Sequence, residues 1–265
     1  MSGPDEEQKE ENTMKNMFDL TGKKAIVTGA AQGLAHGMAE GLMEAGAEVA
    51  IIDLSAKIGE VAGAFCARGF RCHGVQADLG DVEQRERAFN EAVSAMGGLD
   101  ILVNAAGVQK RHKSEEFPLS DWEFVLNVNL TSVFHLCQLA ARHYLAHGGG
   151  KIINIASMLS YFGGFTVPAY AASKGGVAQI TKAFANEWAS KGINVNALAP
   201  GYMATTMNTA LMNDPGRNTE ILSRIPAGDW GTPDDMKGPT VFLASDASSY
   251  LHGAIIPVDG GYLSR

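Results

Sequence analysis

From Lys23 onward the chain repeats one unit, a short apolar run rich in β-branched residues followed by a helical stretch, and it offers seven such runs. They read "KKAIVTG", "EVAIID", "RCHGVQAD", "LDILVNAAG", "KIINIAS", "INVNALAP" and "AIIPVDGG". Between them the spacing of apolar residues predicts helices over about Gly33 to Ala45, from Ser55, from Val82, through "DWEFVLNVNLTSVFHLCQLAARHYL", around Tyr170 and from Pro233, with a looser stretch ahead of the last. Strands that are apolar throughout need cover on both faces, and helices of this length supply the right-handed crossovers that wind a chain into a parallel sheet. The expected fold is α/β: a single-domain, Rossmann-like doubly wound parallel sheet of about seven strands with helices on both faces.

A chain of 265 residues, 46% of them hydrophobic, can bury the core of one such domain, and no linker or larger repeat divides it. The domain is placed over residues 17–265. Residues 1–16, "MSGPDEEQKEENTMKN", are polar and acidic and are expected to form a disordered acidic tail. A net charge of −8 without any Lys/Arg-rich stripe argues against a nucleic-acid partner. Three cysteines, an odd number with no CxxC pair, suit a reducing cytoplasm. With no signal peptide and no apolar run near the length of a membrane span, the protein is expected to be cytoplasmic, with no membrane partner. His143 and His147 stand four apart, but no Glu between them and no third ligand suggest a metal, so none is expected.

In a doubly wound sheet the ligand crevice lies at the carboxyl ends of the strands. The first strand runs there into "TGAAQGLA", with Gly29 and Gly33 bracketing Gln32 and Leu34 following. Glycines let the backbone turn tightly beside a pyrophosphate, and the next helix offers free N–H groups and the positive end of its dipole. A nucleotide is expected here, although such a turn also occurs for steric reasons alone. Asp53 ends the second strand, where a carboxylate can accept hydrogen bonds from ribose hydroxyls and repel a 2′-phosphate, so NAD is expected rather than NADP. It can equally cap the helix after Ser55. In "PAYAASKGG", Tyr170 and Lys174 stand four apart, which in a helix places them on one face.

These motifs, in order, resemble the short-chain dehydrogenase/reductase family: "TGAAQGLA", Asp78 after the third strand, "NAAG" from Asn104 to Gly107, Asn129, Ser157, Tyr170, Lys174 and "PGYMAT". The resemblance covers residues 18–265. It departs at Ala35, where the family has a third glycine, and at Ala105, where it has a second asparagine. It implies that Asn129, Ser157, Tyr170 and Lys174 are catalytic. Tyr170 would exchange a proton with the substrate oxygen while Lys174 draws its pKa down and holds the nicotinamide ribose; Ser157 would bond the substrate oxygen and Asn129 a relay water. A strand-end cap at Ser157 and a helix kink at Asn129 are the plainer alternatives. Cofactor contacts are implied for Gly29, Gln32, Gly33, Leu34, Asp53, Asp78, Leu79, Asn104, Ala105, Gly107, Tyr170, Lys174, Pro200, Gly201 and Thr205.

Within the family, "GGGKIINIASMLSYFGG", "ILSRIPAGDWGTPDDMKGP" and "VDGGYLSR" are similar to a branch acting on sugar acids, the 2-deoxy-D-gluconate 3-dehydrogenases and 2-dehydro-3-deoxy-D-gluconate 5-dehydrogenases. A gluconate 5-dehydrogenase, a 3-oxoacyl-carrier-protein reductase and a catalytically silent nucleotide-binding protein remain the alternatives. Met158 and Tyr202, which follow the crevice ends of strands, are expected to line the substrate pocket, and Arg111 to grip the acid group. The family also implies a homotetramer, paired through the long helix after Asp121 and the Tyr170 helix, on outer faces carrying Val177, Ile180 and Phe184.

Overall fold

The computed structural model describes residues 17–264. The expected acidic tail, 1–16, lies outside the described residues. Seven strands form one sheet in the order β3-β2-β1-β4-β5-β6-β7, every neighbouring pair parallel. They are β1 (Lys24–Thr28), β2 (Glu48–Asp53), β3 (Cys72–Gln76), β4 (Ile101–Asn104), β5 (Gly150–Ile155), β6 (Ile193–Pro200) and β7 (Ile255–Val258). Each matches one of the apolar runs. The helices are α1 (Gly33–Glu44), α2 (Ile58–Ala67), α3 (Val82–Met96), α4 (Leu119–Leu126), α5 (Ser132–His147), α6 (Pro168–Trp188), α7 (Thr209–Met212), α8 (Pro215–Arg224) and α9 (Lys237–Ala244).

Alternate residues of each strand feed two cores, as the period-2 pleat requires. Ile26, Ala50, Ile52 and Leu102 pack under α3, α5 and α6, while Ala25, Val27, Val49 and Ile101 pack under α1, α2 and α9. All eight residues of β6 are buried, including Asn194 and Asn196, whose amides bond the backbone of 249–254 and so set the approach to β7. Strand order reverses between β1 and β4, which opens a crevice beyond their carboxyl ends.

The helix through Leu119–His147 is continuous but not uniform, because α4 passes into α5 through a π-helical turn over Asn127–Thr131. By length and apolarity this helix would suit a membrane span, with a mean hydropathy of 1.4 over 18 residues, where the sequence reading expected no apolar run near that length. Half of that window is buried in the fold, as in a core helix.

Candidate active site

The glycine turn is built for close approach. Gly29 has φ +75°, and a Cβ placed on it would stand 2.7 Å from the Cα of Ala106, so neither conformation nor space admits a side chain. The Thr28 hydroxyl accepts from the N–H groups of Ala105 and Ala106 at 3.0 and 3.1 Å, fastening the loop after β4 to the end of β1. Beyond Gly33, also at positive φ, α1 begins with no side-chain cap and no acidic residue in its first turn, leaving N–H groups for an anion. Such a cradle fits a dinucleotide pyrophosphate. Asp53 ties two turns together: one carboxylate oxygen accepts from Ser55 N at 2.9 Å, though α2 begins only at Ile58 so that this is no helix cap, and the other accepts from Ala31 N, inside the glycine turn, at 3.0 Å.

These elements wall a cavity of about 390 Å³. Of the expected cofactor residues, Gly29, Gln32, Gly33, Leu34, Asp53, Asp78, Leu79, Ala105, Gly107, Tyr170, Lys174, Pro200, Gly201 and Thr205 line it, and Ser157 lies at its far end. Asn104 does not. Its side chain is 1% exposed and turns into the core, donating to Asn154 Oδ1 at 2.9 Å and to Cys137 Sγ at 3.3 Å.

At the far end three elements converge. Ser157 caps the short helical turn after β5, accepting from Leu159 N at 3.1 Å. Tyr170 and Lys174 share a face of α6, with the Lys174 ammonium 5.7 Å from the tyrosine ring centre. Lys174 is 3% exposed and donates to the Ile155 carbonyl, the last of β5, at 2.6 Å. Burial pushes its pKa down to about 8. Burial also raises the Tyr170 phenol above its ordinary value, with a hydrogen bond from Ser157 pulling the other way. The expected lowering of Tyr170 by Lys174 is therefore not met in this site: desolvation of the phenolate outweighs the hydrogen bond from Ser157.

Asn129, fully buried, sits in the π-helical turn, so it is a kink residue as well as a neighbour of this group. Its amide accepts from Val108 N at 2.8 Å and donates to Val108 O at 2.9 Å and to Ser173 Oγ at 3.2 Å. It holds the loop after "NAAG" against α6 without lining the cavity.

Two expected pocket residues lie elsewhere. Met158 is buried with Ile221, Ile225 and Tyr262, and Tyr202 packs edge-on against Trp230 and Tyr262. Both belong to a satellite core that seats α8 and the C-terminus, because the chain after β5 and β6 folds over them. Arg111 is exposed on the wall of an outer hollow that adjoins the main cavity through Val108, Phe124, Thr206 and Met207. It has no ion-pair partner among the described residues, whereas Lys110 and His112 beside it both pair with Asp121, at 3.5 and 2.7 Å. Phe124 and Met207 were missed in the sequence because only tertiary approach brings them there. Ser160 was also missed; its hydroxyl donates to Lys174 O at 2.7 Å, tying the Ser157 turn to α6. Among the described residues no group of three or more His, Cys, Asp or Glu could hold a metal ion.

Comparison with known proteins extends this picture. Residues 29–263 match the family described as enoyl-(acyl carrier protein) reductase. The chain is 50% identical over 252 residues to the 2-dehydro-3-deoxy-D-gluconate 5-dehydrogenase of Escherichia coli strain K12, covering 94% of this chain and 98% of that one. It is 48% identical over 252 residues to the Bacillus subtilis strain 168 enzyme of the same name, covering 95% and 99%. A structure of a gluconate 5-dehydrogenase from Burkholderia cenocepacia J2315, in complex with NADP and tartrate, superposes with a TM-score of 0.92 at 40% identity, covering 95% and 99%. Likeness of this depth, along nearly the whole chain and with the same sheet, has one reading: the chain belongs to the short-chain dehydrogenase/reductase family.

Proposed function

We propose that the protein is an NAD(H)-dependent oxidoreductase that interconverts a secondary alcohol and a ketone on a sugar acid, with 2-dehydro-3-deoxy-D-gluconate or 2-deoxy-D-gluconate as the substrate. The observation that carries this reading is the meeting of Ser157, Tyr170 and Lys174 at the end of a cavity whose other end is the glycine turn. When bound, the nicotinamide ring supplies the hydride acceptor or donor. The chain supplies the proton chemistry. Tyr170 takes the proton of the substrate hydroxyl during oxidation and returns one to the carbonyl oxygen during reduction. Ser157 donates a hydrogen bond to that oxygen, fixing it beside the phenol. Lys174, with a pKa near 8, still carries its charge at neutral pH, where it holds the ribose. Asn129 steadies the wall from which a water reaches Lys174.

The preference for NAD rests on Asp53, since among the described residues that line the cavity the one Lys or Arg is Lys174, and Gln32 brings no charge to receive a 2′-phosphate. The Burkholderia relative holds NADP, so the deciding assay sets the two cofactors side by side. The sugar-acid substrate rests on the names of relatives near half identity, and gluconate 5-dehydrogenase activity is the second reading, favoured by the same Burkholderia structure.

A homotetramer in the cytoplasm completes the proposal, with a correction to the expected surface. Val177 is fully buried and Phe184 nearly so, packed toward the subunit's own sheet, so neither offers an outer face. On the outer faces of α5 and α6 lie Phe134, 43% exposed, and Leu145, 52% exposed, with Ile180 and Trp188 half-buried. An apolar surface of this kind suits a second copy.

The test is Tyr170→Phe, which keeps the ring and removes the proton carrier. NADH should still bind while turnover on the keto sugar acid falls by at least about 10², the scale of general acid–base catalysis. Retained turnover sinks the mechanism.

A further inference from the structure

Between β3 and α3 the chain crosses the cavity as an irregular turn, with Ala77, Asp78 and Leu79 on its wall. Side chains do much of the holding. Gln84 Oε1 accepts from Asp78 N at 3.1 Å, and Asn127 Nδ2 donates to Gly80 O at 2.8 Å. Arg85 Nε donates to Leu79 O at 2.8 Å. Arg85 is 3% exposed, and no salt bridge to it is present among the described residues. A guanidinium buried without an ion pair is costly, so its position is set by what it holds.

Its other contact is His135 on α5, whose Nδ1 lies 3.1 Å from the guanidinium. Arginine has donors only, so Nδ1 must be the unprotonated nitrogen and the imidazole neutral, with its proton on Nε2 and aimed at Glu86, 3.3 Å away. The ring is 15% exposed. A second proton would have to enter at Nδ1, between the ring and the cation, and would break the contact. Burial, Arg85 and, more weakly, Arg142 hold the His135 pKa below its ordinary value, while Glu86 opposes them. Around Arg85 itself the facing carboxylates are Asp81, Asp78 and Glu86.

We propose that Arg85 and His135 form a positioning pair that holds the Ala77–Gly80 turn in the shape that receives the nucleotide end of the cofactor, and that adding a proton to His135 loosens the turn and weakens cofactor binding. The proposal rests on the reading that a dinucleotide occupies the cavity. Neither residue touches the reacting atoms, so turnover at saturating cofactor is unaffected. A purely structural buttress between α3 and α5 would alter stability without giving NADH binding a proton dependence.

The experiment titrates the full-length protein with NADH, followed by nucleotide fluorescence, from about pH 8 down to about pH 5.5, the range in which histidines change charge. Wild-type protein should show a dissociation constant rising roughly three- to tenfold as the pH falls, the scale of one net hydrogen bond. His135→Gln keeps an acceptor for Arg85 and carries no proton to gain, so its dissociation constant should stay near the wild-type neutral value throughout. The comparison subtracts every other histidine, His36 beside the glycine turn included. Arg85→Lys, which keeps the charge without the fork, should bind NADH more weakly at every pH with kcat unchanged. The same pH dependence in His135→Gln as in wild type, or none in wild type, overturns the pair while leaving the enzyme reading intact. Absence of NADH binding to the wild-type protein at every pH overturns both.

Discussion

Replacing Asp53 by asparagine keeps the side chain's shape and removes its charge, and it separates the tie that the structure shows from the cofactor choice proposed for this residue. The carboxylate spans the crevice end of β2, bonded to Ala31 N at 3.0 Å and Ser55 N at 2.9 Å. A 2′-phosphate seated about 4 Å from it would meet a repulsion of about 4 kcal/mol per unit charge pair at an effective dielectric near 20, close to a thousandfold in affinity. Asp53 is half-buried, so solvent screens part of this. A change of roughly ten- to a hundredfold is the realistic expectation. The substituted amide would retain one acceptor oxygen and lose the other bond, at a cost of about 1–3 kcal/mol to folding. The assay is kcat/KM for NAD and for NADP with one sugar acid, alongside a thermal melt. Asp53→Asn should move the NAD/NADP ratio toward NADP by at least about tenfold and lower Tm by a few degrees. A lowered Tm with an unchanged ratio would refute the reasoning, because Asp53 would then be a tie between the glycine turn and the start of α2 and no reader of the ribose.

The remaining predictions concern Lys174, Arg111 and assembly. Burial lowers Lys174 from 10.5 to about 8, so between those values the unfolded chain holds a proton that the folded chain has released, and stability rises with pH through that window. Below about 8 the whole cost is present. Lys174→Met should therefore stabilise the fold at neutral pH by roughly 2 kcal/mol, after allowing for the lost bond to the Ile155 carbonyl, while turnover collapses. Urea melts at pH 7 check this, and a destabilised variant would contradict it. Arg111→Met should raise KM for the sugar acid at least about tenfold, the value of a charged hydrogen bond, with little change for an uncharged sugar analogue; equal effects on both would mean that Arg111 only shapes its loop. Light scattering at micromolar protein should give the mass of four chains, and Phe134→Glu should lower it; a monomeric wild type would end the tetramer reading.

The sheet was legible because its information is local. β1, β2 and β6 begin and end where apolar runs do, and buried parallel strands require such runs. Errors fall where side chains redirect the backbone. A helix from Ser55 was expected, yet α2 starts at Ile58, because Asp53 and Ser55 hold the intervening residues in turns. The stretch read as loose contains α8, whose start was written in the sequence as Asp214 followed by Pro215: Asp214 accepts from Gly216 N and Arg217 N, and proline suits the first helical position.

The site divides along the same line. Spacing alone placed Tyr170 beside Lys174, and strand ends placed Gly29, Asp53 and Ser157 at one crevice. Protonation was not legible, since the raised Tyr170 and lowered Lys174 both follow from burial that only the assembled fold creates. The π-helical turn was not legible either, and it has the largest consequence for how the crevice is held together. Widening one turn of a helix changes the direction of every side chain in it, and such turns recur at functional sites. Two asparagines of this turn, two residues apart, serve opposite ends of one cavity: Asn127 donates to Gly80 at the nucleotide end, while Asn129 clasps Val108 and Ser173 beside the reacting group. Residues i and i+2 of a helix project roughly 160° apart, so Asn127 and Asn129 reach in nearly opposite directions from one backbone. One helical segment thus fastens both ends of the site, the nucleotide end through Asn127 and the reacting end through Asn129.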